Sequence, residues 1–386
     1  MTRIGIHDLE LATSHHVLDL GKLAGAHDID PAKYRVGIGQ DEMSILAPDE
    51  DIVTMGAAAA QPLLERHGHQ EIRTLLFATE SGVDQSKAAG LWVHQLLGLP
   101  AHVRVVEFKQ ACYSATAALQ AAIGMISRSP GERVLVIASD EARYELGSSG
   151  EPTQGAGAVA MLVSADPAMV EIEPVSGVHT VDVDDFWRPN DSSTAVVDGA
   201  LSIRAYLESV TGAWDDLAGR GGPDPASIER VVYHQPFTKM AAKAQRALIS
   251  RSGAELPARG LQDASVYNRR LGNTYTASLY ASLASLLDAD PELAGRRIGM
   301  FSYGSGSVSE LLTGIVQPGY WDPDRAARVR KALDARVPLE VQEYRRLHAR
   351  VLPSAVDVEN PHVTDGPFRF AGITGHARHY EATGGS

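Results

Sequence analysis

Cys112 is the only cysteine in the 386-residue chain, and its setting suits a nucleophile. A β-type apolar run, residues 103–108, ends in the turn Lys109-Gln110-Ala111-Cys112-Tyr113, and a helical stretch of small residues begins at Ser114. A thiol at such a junction lies near the positive end of a helix, which is expected to favour the thiolate. Without further context, a lone cysteine is more often a small buried apolar side chain. Two other residues supply that context. Glu80 closes the apolar run 75–79 and His234 closes the run 230–233. Open α/β sheets place ligand sites just beyond the carboxyl ends of their strands. A thiolate attacks a thioester or ester carbonyl to form an acyl-enzyme. A histidine can hold or protonate a carbonyl oxygen, and a partly buried carboxylate can take a proton from carbon. Each residue alone has a plainer reading: Glu80 as a helix-start carboxylate, His234 as a structural histidine, Asn273 as a turn or cap residue.

The elements that must position these groups alternate as in an α/β protein. Strands are expected at 72–79, 103–108, 133–138, 156–164, 230–233 and 297–301. Helices are expected at 52–67, 114–126, 201–217, 241–251 and 276–287, and 212–227 reads as a surface connection. Three features recur in the same order. Glu80 is echoed by His234, Cys112 with its small-residue helix by Asn273-Thr274-Tyr275-Thr276-Ala277-Ser278, and Gly155-Ala156-Gly157 by Gly304-Ser305-Gly306, at separations of 154, 161 and 149 residues. Such a repeat points to an internal duplication and fixes the architecture. The expected body is a five-layered α/β/α/β/α fold in which Glu80, Cys112, His234 and Asn273 converge. Its halves are residues 1–170, with the nucleophile, and 171–352, with His234 and Asn273; residues 353–386 read as a mobile tail.

Composition narrows the class. Apolar residues make up 44% of the chain and charged residues 22%, enough for large cores, and the formal charge of −13 argues against nucleic acid as the main partner. One cysteine excludes an intramolecular disulfide, which suits a reducing cytosol. No stretch approaches the roughly 18 apolar residues of a membrane span, and the N-terminus lacks a signal-peptide core; a cytoplasmic location is expected. The glycine-rich stretches 154–158 and 303–307 offer backbone amides for an oxyanion, or else a close sheet crossing. Lys239 and Lys243, one helical turn apart, suit a phosphate-bearing ligand or a solvated helix face. His15-His16 and His67-Gly68-His69 lack partners at metal-ligand spacing, and no metal is expected.

Four motifs taken together resemble the 3-hydroxy-3-methylglutaryl-CoA synthase family: Ala78-Thr79-Glu80-Ser81-Gly82, Lys109-Gln110-Ala111-Cys112-Tyr113, His234-Gln235-Pro236-Phe237-Thr238-Lys239-Met240 and Phe301-Ser302-Tyr303-Gly304-Ser305-Gly306. Asp185-Phe186-Trp187-Arg188-Pro189 and Gly150-Glu151-Pro152-Thr153-Gln154 are similar too, and the resemblance spans residues 4–352. It implies the duplicated thiolase-type fold, a homodimer, and a condensation of acetyl-CoA with acetoacetyl-CoA that needs no cofactor and feeds mevalonate and isoprenoid synthesis. Cys112 then matches the acetylated nucleophile, Glu80 the base that deprotonates the acetyl methyl, and His234 the residue that protonates the acetoacetyl C3 oxygen. Asn273 and Ser305 match acyl-group contacts, Tyr144 and Thr153 positions near the acyl and pantetheine parts, Lys239 and Lys243 positions near the CoA phosphates, and Asp30 a further CoA-contacting stretch. The rival within the family is the polyketide β-branching synthase, which takes acetoacetyl from an acyl-carrier protein. A Cys–His hydrolase would need no Glu80, and a scaffold protein would not be acetylated.

Overall fold

The computed structural model describes residues 2–350 and 356–384. The apolar strand runs assemble into a mixed ten-stranded sheet whose main path is Ile228–Tyr233, Arg297–Gly304, Val308–Val316, Val170–Ile172, Ile4–Thr13, Gly155–Ala165, Arg133–Ala142, Ile72–Ala78 and Arg104–Phe108. The two ends of this path share one pattern. Ile72–Ala78 lies parallel to Arg133–Ala142, which pairs antiparallel with Gly155–Ala165. Ile228–Tyr233 likewise lies parallel to Arg297–Gly304, which pairs antiparallel with Val308–Val316. Glu80 and His234 follow equivalent strands, as the duplication requires. The halves do not separate: Val170–Ile172 bonds to Ile4–Thr13 on one side and to Val308–Val316 on the other, stitching both half-sheets together.

Between the half-sheets run two equivalent helices, Ser114–Arg128 and Ser278–Ala289. Small residues face the strands on the first (Ala115, Ala118, Ala122), and the second is buried almost throughout, with Leu279, Leu283, Leu286 and Leu287 at 1% exposure or less. Truncating one of these leucines to Ala costs about 2–5 kcal/mol because the packed surroundings cannot close over the gap. Helices Ile52–His67 and Gly90–Leu96 cover the outer face of the first half-sheet, and Gly199–Gly219 with Met240–Ser252 cover that of the second. These are the five expected layers. Among the described residues no helix is long and apolar enough to cross a membrane.

Two expectations need correction. The segment 212–227 is not all connection: the helix Gly199–Gly219 carries buried Ala213, Trp214 and Leu217 into it, and Gly212 packs against the His179 ring. Hydrophobic spacing outweighs the glycines there. The tail also folds into strands over residues 356–384. Val358–Glu359, Phe368–Thr374 and Ala377–Ala382 form a three-stranded sheet that buries Phe368, Phe370 and Ile373. Its Arg378 and Tyr380 donate to Asp51 Oδ2 at 2.8 and 2.5 Å, and Asp51 is the N-cap of helix Ile52–His67. The alternation Phe368-Arg369-Phe370 is a strand signal that the surrounding Gly and His residues obscure. Residues 353–355, 385 and 386 of the expected tail lie outside the described residues.

Candidate active site

The chain reaches Cys112 through a forced turn. Ala111 has φ +43°, and Ser114 Oγ accepts from the Gln110 amide while donating to the Ala111 carbonyl. This locks the residues just ahead of helix Ser114–Arg128. Left-handed backbone at a non-glycine residue costs about 1–3 kcal/mol and persists where the surroundings enforce it. Here the enforcing element is the Tyr303–Ser307 turn of the other half. A Cβ on Gly304 would stand 2.5 Å from the Gln110 carbonyl oxygen and 2.7 Å from Tyr113. Glycine therefore lets the two turns cross.

Cys112 Sγ lies 3.3 Å from Glu80 Oε1 and donates to it. Burial, and then the Asp140 charge, push Glu80 up to about 8. The thiol is also pushed well above its usual range, by burial first and by the carboxylates of Glu80 and Asp140 next. The expected resting thiolate is thus overturned. Burial and two neighbouring carboxyl groups outweigh the helix end, and Cys112 rests as a thiol paired with the Glu80 carboxyl group. His234 follows Tyr233 at the strand end and is 2% exposed. Its amide donates to the Phe301 carbonyl (2.8 Å), its carbonyl accepts the Tyr206 hydroxyl (2.6 Å), and its Nδ1 has no hydrogen-bond partner among the described residues. Burial lowers its pKa to about 3, so the imidazole is neutral at working pH.

Asp140 was not legible in the sequence as a site residue, yet it organises the base. Its Oδ1 accepts from Thr79 Oγ1, the Glu80 amide, the Ser81 amide and Ser81 Oγ at 2.6–2.9 Å, while Oδ2 accepts the Thr276 amide at 3.1 Å. One buried carboxylate thus fastens the Glu80 loop to the loop that carries Asn273. Burial raises Asp140 to about 6 against these hydrogen bonds. The available signal was a carboxylate interrupting an apolar strand, which continues to Ala142.

Cys112, His234, Asn273, Tyr144, Thr153, Ser305 and Lys243 line one cavity of about 660 Å³. Tyr144, Phe186 and Tyr275 meet edge to face, with centroids 5.8–6.4 Å apart, and form an aromatic wall beside Cys112. Asn273 turns its Oδ1 to the Tyr275 amide (2.9 Å) and its Nδ2 to the Tyr144 hydroxyl (3.5 Å). The lining extends to exposed Gly37, Gly199 and Ala200, which mark the mouth. Lys239 does not line the cavity; its Nζ donates to the Val36 carbonyl at 2.9 Å, holding the segment Lys33–Ile38 at the rim. Asp30 sits in an exposed turn, accepting the Ala32 amide, and is also outside the lining. Both glycine-rich stretches follow the close-crossing reading. The Gly306 amide is taken by Asp185 Oδ1 (2.9 Å) and the Ser307 amide by the Val181 carbonyl (2.7 Å), so neither serves an oxyanion. Gly155 marks a close crossing, where a Cβ would meet the Leu271 carbonyl oxygen at 2.3 Å.

Models of the N-terminal and C-terminal regions of hydroxymethylglutaryl-coenzyme A synthase match residues 2–168 and 254–347. The chain belongs to the hydroxymethylglutaryl-CoA synthase family. It is 40% identical to the hydroxymethylglutaryl-CoA synthase of Enterococcus faecalis, over 92% of this chain and 94% of that protein. It is 34% identical to a polyketide-biosynthesis 3-hydroxy-3-methylglutaryl-ACP synthase of Bacillus subtilis, over 90% and 88%. A crystal structure of an HMG-CoA synthase complexed with CoA superposes with a TM-score of 0.92 at 35% identity, covering 99% of this chain and all of that one. The fold is therefore the thiolase fold, and members of this synthase family are condensing enzymes of the acyl-transfer type.

Proposed function

We propose that this synthase condenses acetyl-CoA with acetoacetyl-CoA and water to give HMG-CoA and CoA. The observation that carries the reading is the Cys112–Glu80 contact of 3.3 Å at the inner end of a cavity lined by apolar and hydroxyl side chains. Such a cavity takes a pantetheine arm and leaves its thioester beside the sulfur. Sγ bonds to the acetyl carbonyl carbon as its proton passes to Glu80, and Glu80 hands that proton to the CoA sulfur as it leaves. Glu80 then removes a proton from the acetyl methyl. The resulting carbanion equivalent bonds to C3 of acetoacetyl-CoA, and the proton gained by Glu80 passes to the C3 oxygen held at His234, which returns Glu80 to its base form. A neutral imidazole suits this step, because it donates a hydrogen bond without placing a buried charge. Water finally cleaves the bond to Cys112. No metal or redox cofactor enters these steps.

Asn273, Tyr144 and Ser305 would hold the acyl groups, Thr153 the pantetheine, and Lys243 the phosphates, with Lys239 shaping the rim. The assembly proposed is a cytoplasmic homodimer that supplies mevalonate. The dimer reading is supported by the strand Arg104–Phe108, which ends the sheet with Val106 exposed; an uncovered edge strand invites a second copy. The likeness to the Bacillus subtilis ACP synthase favours one second reading, in which acetoacetyl arrives on an acyl-carrier protein. Turnover is to be measured with acetoacetyl as the free CoA thioester and as the carrier-protein thioester. Efficient turnover of the CoA form supports the first reading, and turnover of the carrier form alone supports the second.

A further inference from the structure

Glu80 does not line the cavity that holds Cys112. It lines a second cavity of about 530 Å³ on the far side, walled by charged groups that include Asp84, Glu107, Lys109, Glu141, Arg143 and Arg188. Phe186 and Tyr275 border both spaces and partition them. The Cys112–Glu80 contact of 3.3 Å is therefore a seam between the two spaces, Cys112 belonging to the lining of the first and Glu80 to that of the second. The hairpin of Phe186–Trp187 with Val196–Val197 supplies much of the second wall, and Arg188 Nη2 ties it to the Glu80 carbonyl at 2.6 Å.

This division matters at one step of the reaction proposed above, on which the inference rests. After condensation the product is bound to Cys112 through the former acetyl carbonyl while still carrying a whole CoA through its other end. Its pantetheine arm then fills the apolar cavity, so water cannot follow that route to the sulfur. We infer that the polar cavity delivers the hydrolytic water to Glu80 while the substrate cavity is plugged. Glu80 takes a proton from that water, its oxygen bonds to the thioester carbon, and the bond to Sγ breaks. Glu80 returns the proton to the sulfur, and the second proton of the water leaves with the new carboxyl group. Acetylation and condensation consume no water, so only hydrolysis depends on this space.

Two substitutions narrow the cavity without touching the reacting groups. Ser193 lines it and is exposed, and a Cβ on Gly82 would point at Glu107 Oε1, 3.3 Å away. Ser193→Trp and Gly82→Leu are to be compared with the unaltered chain by intact-mass time courses after acetyl-CoA, with and without acetoacetyl-CoA. The inference expects acetylation, and acetyl-enzyme hydrolysis without the second substrate, within about twofold of the unaltered chain. With both substrates, an adduct carrying HMG and a whole CoA accumulates and turnover falls about tenfold or more. Turnover equal to that of the unaltered chain in both variants overturns the inference. So does an equal slowing of hydrolysis with the substrate cavity empty or filled. If the unaltered chain forms no acetyl adduct, the proposed function fails and this inference falls with it.

Discussion

Glu80→Gln removes the proposed base and should leave the enzyme more stable, by an amount that grows with pH. A free glutamate titrates near 4.5, whereas burial and the Asp140 charge hold Glu80 at about 8. The folded state thus retains a proton that the unfolded state releases. Stability from this group is complete below about pH 4.5, falls as pH rises through the window between the two values, and levels off above about 8. At about 1.4 kcal/mol per pH unit, the penalty carried by the unaltered chain grows by on the order of 3 kcal/mol between about pH 5.5 and 8.5. The substituted amide has no such titration, and its oxygen can still accept from the Cys112 thiol. Urea unfolding of both proteins at these two pH values gives the difference directly. The variant should gain on the order of 3 kcal/mol over the unaltered chain across this range while losing condensation. An advantage that stays constant or shrinks from the lower to the higher pH would refute the assignment of a raised Glu80.

The same titration predicts that condensation rises with pH, reaches half its maximum near 8 and levels off above that, readable as a kcat profile. His234→Gln should slow condensation by about 10²–10³-fold yet keep that acid limb, because His234 is neutral above about pH 4; a pH limb that disappears with His234 would contradict this. Asp140→Asn should shift the limb to lower pH by removing a neighbouring negative charge, and should cost about 1–3 kcal/mol because one buried amide or hydroxyl loses its acceptor. Gly272→Ala should destabilise the chain and raise KM together, by thermal melt and steady-state kinetics. Gly272 has φ +81°, its Cβ would meet the Gln154 carbonyl oxygen at 2.0 Å, and Asn273 follows it directly.

The repeat read from Glu80, Cys112 and their echoes matches the structure because it rests on strand ends, and the carboxyl ends of strands are where open α/β sheets place ligand-facing groups. The helix 52–67 was legible to the residue, since an aspartate cap and a glycine stop bracket it. Charge states were less legible. The thiolate expected at Cys112 assumed a solvated helix end, whereas burial and two carboxylates reverse the sign. Asp140 went unnoticed because its role is to gather hydrogen bonds from the Thr79–Ser81 loop and from Thr276, a property of the folded chain with no local spacing. Lys239 was legible as basic but not as a rim strut, since its partner is a backbone carbonyl 203 residues away. The tail sheet was hidden by an alternation too short to stand out among Gly and His.

The measurement that bears most directly on the account is mass spectrometry of the intact chain after brief mixing with acetyl-CoA and then acetoacetyl-CoA. The account predicts one acetyl group on Cys112 that disappears as free HMG-CoA forms. An unmodified Cys112, or an acetyl adduct that persists when acetoacetyl-CoA is added, would contradict it.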